Sequence, residues 1–369
     1  MKPFDYADSR VGGREIAITV ANVILGVGVL TLPSSLAQAT RASDGWISIL
    51  IAGGVAMLLA WVAAKLASRF PGKMFHEYAA SIATKPVAIG LSWLFFVYFV
   101  CYGAYEARMI VTISKQYLFD QTPAEVIGLA FLFVTAYAVA GERIGLIRLN
   151  VLFLPIVLVV STFVLSFAAD LFEPSNLKPH FVTEPRGLLK GSSEVVFSFL
   201  GFELILFYAF MMRKPAKAVA MSLIGVLIPF VLYLAVYLVT IGVFTNEGAA
   251  NIQYPTVELA KEIELPGQFF ERFESVFFTI WLMTVFNTTS VALDISIMCL
   301  RSLFVALKKI AAISIVLPFI FIFGMLPQNV GETSTFGQWL SYFGFVLVAI
   351  VPMSLLLIAK AKGVGGNAG

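Results

Sequence analysis

The chain has 369 residues, of which 59% are hydrophobic and 13% charged; 34 are phenylalanines, the mean hydropathy is +0.91 and the formal net charge is +3. No single soluble core can bury that much apolar surface, so the composition excludes a soluble globular protein and predicts an all-α membrane protein. A β-barrel is a poor fit, because the apolar runs are long and unbroken instead of alternating.

Taken in chain order, stretches free of Asp, Glu, Lys and Arg and near the roughly 20 residues of a bilayer crossing cover 16–40, 45–64, 86–105, 149–169, 218–246, 310–331 and 333–359. Accepting a charge at an end or in the middle adds 124–141, 192–212 around Glu203, and 275–299 close to Asp294. The expectation is therefore ten transmembrane helices. The first run follows Asp5, Asp8 and Glu15 and is too long for a signal peptide, so it reads as a retained helix. Most of the 25 Lys and Arg residues fall on one side if the N-terminus is cytoplasmic, including Arg14, Lys73, Arg143, Lys214, Lys308 and Lys360. An even span count then places both termini on that side. The positive balance records topology, and no nucleic-acid partner is needed to explain it.

Cys101 and Cys299 lie in separate spans, and His76 and His180 in separate loops. Neither a metal site nor a disulfide framework is visible, and no catalytic set or cofactor motif appears. Two loops are long, 170–191 and 244–273, and both fall on the outer side. Within the second, 257–263 reads as a short helix ended by Pro266-Gly267.

Ten spans divide into five and five, and an odd number in each half gives the halves opposite orientations, the geometry of an inverted-repeat transporter. The sequence thus reads as one integral membrane domain over 1–369, with repeats at 16–170 and 190–360 and a tail at 363–369. In such a design the first helix of each repeat is broken. Span one carries Gly26-Val27-Gly28 followed by Pro33, residues that loosen helical geometry and clear space for a ligand, although small residues also serve close helix packing. Span six carries Gly201-Phe202-Glu203.

Glu203 is the most informative charge, because a carboxylate within a span is costly and faces a partner or a polar cavity. It can pair with a ligand amine, bond the loosened backbone, or carry a proton. Tyr98, Tyr102 and Glu106 recur every four residues and share a helical face, suited to a polar pathway with Glu106 as a second coupling carboxylate. Arg108 can neutralise Glu106 near the outer end of its span. Asn287, Thr288 and Thr289 in span eight either line a ligand site or bond their own helix.

Across nearly its whole length the chain resembles a known family. The run from Gly26 to Pro33 looks like the broken first helix of the amino acid/polyamine/organocation transporter superfamily. Phe70-Pro71-Gly72-Lys73, the segment 141–148, Tyr254-Pro255-Thr256-Val257-Glu258-Leu259, and Glu271-Arg272-Phe273-Glu274 leading to Trp281 are similar to the B subunit of the nutrient germinant receptors of endospore-forming bacteria. The sequence departs from the family pattern at Tyr254, where tryptophan is usual, and in the spacing of Glu203 from Gly201.

The resemblance implies a transporter-like receptor for an amino acid or sugar in the spore inner membrane, with its termini on the core side. It also implies two companions, a membrane-embedded A subunit and a lipoprotein C subunit. The ligand pocket it implies is lined by Gly26, Gly28, Tyr98 or Tyr102, Leu200, Gly201, Phe202, Asn287, Thr288 and Thr289. The alternatives are a proton-coupled amino-acid transporter and a ligand-gated ion or water conduit.

Overall fold

The computed structural model describes residues 10–262 and 273–366. The motif at Glu271-Arg272, the Pro266-Gly267 stop and the last residues of the tail lie outside them. Among the described residues the protein is helical throughout, because in lipid only a helix satisfies every backbone group within its own segment.

Span one is a bent pair, α1 (Gly13–Leu25) and α2 (Gly28–Ala39), turned by 50°. There follow α3 (Gly45–Ser68), a short α4 (Phe75–Ile82), α5 (Lys85–Tyr117), α6 (Ala124–Ala140) and α7 (Arg143–Phe167). Span six is the second bent pair, turned by 43°: α8 (Pro185–Val196) runs through a 3-10 turn to Phe199, and beyond the break comes a short segment containing α9 (Ile205–Tyr208). The chain continues through α10 (Ala218–Asn251), α11 (Pro255–Lys261), α12 (Phe273–Leu303), α13 (Lys309–Met325) and α14 (Val330–Ala361).

Six of these helices are long and apolar enough to cross a bilayer, and the two bent pairs pass the same test as pairs. With the two 17-residue apolar helices α6 and α13, they follow the order read from the sequence.

Several boundaries differ from the sequence reading. Span three continues to Tyr117 instead of stopping at Tyr105, so Glu106 and Arg108 belong to the body of a helix. Span six begins at Pro185, whose ring is tolerated in a first turn. The first part of the loop expected at 244–273 is an extension of α10 past a break at Thr245, where φ is 64°. The expected cap helix is present as α11, with Pro255 in its first turn.

Burial follows position in the bundle. In the most apolar window of α12, 78% is buried, against 22% in α7, so α12 is a core helix and α7 faces lipid. α5 packs against α12, α13 and α14, while α1 packs against α7, α10 and α12. Both described termini lie at one end of the bundle. Val11 bridges to Met212 at the foot of span six, and Arg69 at the foot of span two donates to the Gly365 carbonyl at 3.1 Å. We call this the near end and the opposite one the far end.

At the far end Asp44, just before α3, ties down the segment leading into α8. Its carboxylate accepts the amides of Phe181, Val182 and Thr183 at 2.7, 2.7 and 2.8 Å. Burial pushes its pKa up, but these hydrogen bonds outweigh that and hold it below the usual carboxylate value. A lowered folded pKa gives stability that is full above the ordinary Asp range and is lost as pH falls through the lowered value. Amide exchange at 181–183 is therefore expected to stay slow through pH 4 and to rise only in stronger acid. Asp44→Asn should make it fast at neutral pH.

Candidate functional site

Each break in a spanning helix frees backbone groups that cannot be left unpaired at this depth. In a continuous helix the carbonyls of Val23, Ile24 and Gly26 would accept from Val27, Gly28 and Leu30. Here Leu30 turns to the Val27 carbonyl at 3.0 Å, and side chains from distant helices serve the freed groups. Thr288 of α12 shares its hydroxyl proton between the Thr284 carbonyl of its own helix at 3.1 Å and Val23 at 3.3 Å, Tyr233 of α10 donates to Ile24 at 2.6 Å, and the Trp281 indole N–H of α12 to Gly26 at 3.0 Å. The freed amide of Val27 faces the Glu106 carboxyl.

Pro33 adds one more orphan, since it cannot donate to Val29 four residues earlier. Thr256 of α11 donates to that carbonyl at 2.8 Å. The cap helix is thus stitched to the far-end half of span one through a residue of the Tyr254-Pro255-Thr256 motif.

Span six is treated the same way. Gly201 has φ +123°, a conformation that L side chains rarely adopt, and a Cβ there would meet Val23 Cγ1 at 3.0 Å. Glu203 folds back over this break, Oε2 accepting from the Gly201 amide at 2.7 Å and Oε1 from the Tyr98 hydroxyl at 2.6 Å. Of its three sequence alternatives, bonding to the loosened backbone is the one present here. The two breaks touch: a Cβ on Gly28 would lie 2.8 Å from Ser198 Cβ, and the Tyr233 hydroxyl reaches the Ser198 carbonyl at 3.0 Å as well as Ile24.

The Tyr98, Tyr102 and Glu106 face is therefore real, and the structure joins it to both breaks. Tyr98 touches Glu203, Tyr102 stacks on Tyr98 with centroids 5.9 Å apart, and Glu106 fills the space a side chain on Gly26 would take, 2.9 Å from its Cβ position. Glu106 Oε2 and Asn287 Nδ2 are buried without hydrogen-bond partners. Thr289 bonds only its own helix, to the Val285 carbonyl at 2.8 Å. Leu200 and Phe202 are buried beside the break. Arg108 forms no ion pair with Glu106, because residues two apart on a helix point to different sides.

None of the expected pocket residues is in the lining of the large cavities. One of these, about 440 Å³, lies one step toward the far end. Thr31, Ser34 and Gln38 of α2 form one wall and Ser334 and Gln338 of α14 another. Tyr105, Phe197 and Ser198 are also in its lining, and Ser198 is the residue that touches Gly28. Among the described residues, Glu194 is the one acidic residue in the lining, which holds no Lys or Arg.

At the near end an ion pair locks three spans. Arg143, at the start of α7, pairs through Nε and a terminal nitrogen with Asp294 of α12, and Tyr208 of α9 donates to Asp294 at 2.9 Å. Sequence reasoning noted Asp294 only as a span end and missed its partner. It also missed Tyr233 and the bonding role of Trp281. A carboxylate inside an apolar span was the available signal for Asp294. Nothing local marks the other two.

Two broken helices facing each other inside a bundle, with an open cavity on one side and a locked end on the other, define the class: a membrane protein with a secondary-transporter fold. A solved structure of Mhp1, a nucleobase-cation-symport-1 family transporter in a closed conformation with bromovinylhydantoin bound, superposes with a TM-score of 0.66 at 14% identity, over 93% of this chain and 78% of that one. That likeness concerns the fold alone.

The chain belongs to the spore germination protein family, whose model matches residues 10–333. It is 38% identical over 369 residues to spore germination protein GerLB of Bacillus cereus, covering 100% of this chain and 99% of that one. It is also 28% identical over 352 residues to YndE of Bacillus subtilis (strain 168), covering 95% and 97% of the two chains. A third relative, spore germination protein A2 of the same strain, is 28% identical over 344 residues and 93% of each chain. The resemblance to germinant-receptor B subunits drawn from the motifs is borne out, and the family is not one of enzymes.

Proposed function

We propose that this chain is the nutrient-sensing membrane subunit of a germinant receptor, and that a small amino acid or sugar binds where the breaks of spans one and six meet. The observation that carries this reading is the set of side chains holding the broken backbone. Trp281, Tyr233, Thr288 and Glu106 each occupy a group that a polar ligand can take over. The far-end cavity, bordered by Ser198, gives a route to that point.

A ligand that replaces these partners stabilises one packing of the bundle over another, and its differential affinity for the two is the energy available for signalling. The repeats 16–170 and 190–360 would be the moving bodies. A membrane A subunit and a lipoprotein C subunit would receive the change, with the near end facing the spore core.

Trp281 supplies the test. Its fluorescence in the purified, nanodisc-embedded chain is expected to change on adding a cognate nutrient, and Trp281→Phe should abolish the change. If no nutrient that triggers germination through this chain alters the signal, and none is bound in equilibrium dialysis, the reading fails.

A second reading, proton-coupled transport, is favoured by one observation, the unpartnered Oε2 of Glu106 at the break. Accumulation of the nutrient in liposomes holding this chain alone, driven by a pH gradient and lost in Glu106→Gln, would establish it over pure sensing.

A further inference from the structure

A second cavity at the far end, also about 440 Å³, adjoins the first at Thr112 and Val330 but takes none of its lining from the breaks. Arg108, Thr112 and Lys115 of α5 line it with Glu125 of α6 and with Gln328 and Asn329 just ahead of α14. The three α5 residues are four and three apart and form one stripe.

Arg108 is only 9% exposed, and among the described residues its Nε has no hydrogen-bond partner and its guanidinium forms no ion pair. Burying an arginine in this way is costly unless an anion meets it. The neighbouring carboxylates, Glu332 and Glu125, act on it only from a distance and make no contact with it. Glu332 uses both oxygens on the start of α14, accepting from the Gln328 amide at 2.8 Å and from Asn329 Nδ2 at 2.7 Å. Glu125 lines the same cavity without bonding Arg108. Lys115 gives one hydrogen bond, to the Thr122 carbonyl at 3.1 Å, which leaves two of its three donors. The cavity therefore offers a planar guanidinium fork and an ammonium to an oxyanion, with a carboxylate alongside for a cation.

Depth and surroundings say what brings that oxyanion. α5 has 33 residues and is about 50 Å long, so roughly 10 Å projects beyond each face of a bilayer core of about 30 Å. Lys115 and Arg108 lie roughly 3 and 14 Å inside its far end, so the pair straddles the boundary between headgroups and core. The adjoining helices are apolar and open to lipid: Val126, Leu129 and Phe133 on α6, and Ile322 and Leu326 on α13, are exposed.

We propose that this cavity binds the headgroup of a phospholipid, with Arg108 and Lys115 holding the phosphate, Glu125 facing the ammonium of an ethanolamine headgroup, and the acyl chains lying along α6 and α13. The site is separate from the breaks and does not depend on what binds there.

The test is native mass spectrometry of the full chain released from phosphatidylcholine nanodiscs doped with phosphatidylethanolamine or phosphatidylglycerol. One phosphatidylethanolamine is expected to stay bound in preference to the other lipids. Arg108→Gln should reduce its retention at least tenfold, and Lys115→Gln, at a half-buried position, severalfold. Glu125→Gln should keep a phospholipid bound but remove the preference for ethanolamine, and Arg41→Gln, an exposed arginine, should change nothing. Retention in Arg108→Gln and Lys115→Gln equal to the unaltered chain would overturn the proposal. So would displacement of the lipid by millimolar inorganic phosphate or free amino acid, which would make this a site for soluble anions.

Discussion

Arg143→Gln is expected to destabilise the protein by about 3–5 kcal/mol, because it leaves a fully buried carboxylate without its countercharge. Asp294 is 0% exposed, and apart from Tyr208 its hydrogen bonds come from Arg143. Asp294→Asn should cost less, since the Arg143 side chain is 23% exposed and can turn toward water. The double variant should then lose well under the sum of the two single losses, as expected when each removes the same interaction.

Thermal unfolding in nanodiscs measures all three. Because the pair ties α7, α9 and α12 together at the near end, Arg143→Gln should also speed alkylation of Cys299, which is buried in α12 five residues beyond Asp294. Unchanged melting together with unchanged Cys299 labelling would show that the pair holds nothing.

The second large effect is at Glu203. Its two oxygens both accept, one from a hydroxyl and one from a backbone amide. Glu203→Leu strands both donors in a dry interior, at about 1–3 kcal/mol for each unsatisfied group, so a loss of roughly 2–6 kcal/mol is expected along with loss of the Trp281 response. Glu203→Gln behaves differently. Its carbonyl can take the Gly201 amide, which cannot turn round, and its NH2 can donate to Tyr98, whose hydroxyl can accept instead. Near-normal melting is therefore expected for Gln and a marked loss for Leu. A nutrient response that survives in Glu203→Leu would remove this residue from the machinery of the break.

The pattern of what was readable follows from the physics of lipid. Long apolar runs bounded by charges announce their spans, and Gly26-Val27-Gly28 with Pro33 announces a break, because each is a property of consecutive residues. The ends of spans were less legible. Hydropathy stops at Glu106, yet α5 runs on to Tyr117, since that carboxyl meets the Val27 amide freed by a different helix. The expected Glu106 and Arg108 pair failed for a simple geometric reason, their separation of two residues. The displacement of the cavity toward the far end could not be read at all, because it depends on how Tyr105, Phe197 and Tyr98 close over the breaks.

By itself the sequence determined that this protein lives in a membrane, that its helices number about ten, and that spans one and six are interrupted, the first at two glycines and the second around Gly201-Phe202-Glu203. Those features are encoded locally, in hydrophobicity, in glycine and proline, and in the high cost of a buried charge. The tertiary structure alone decided which partners each break receives. Thr256, Trp281 and Thr288 lie more than 200 residues from the carbonyls they serve, and only the folded bundle brings these distant donors within a hydrogen bond of those carbonyls.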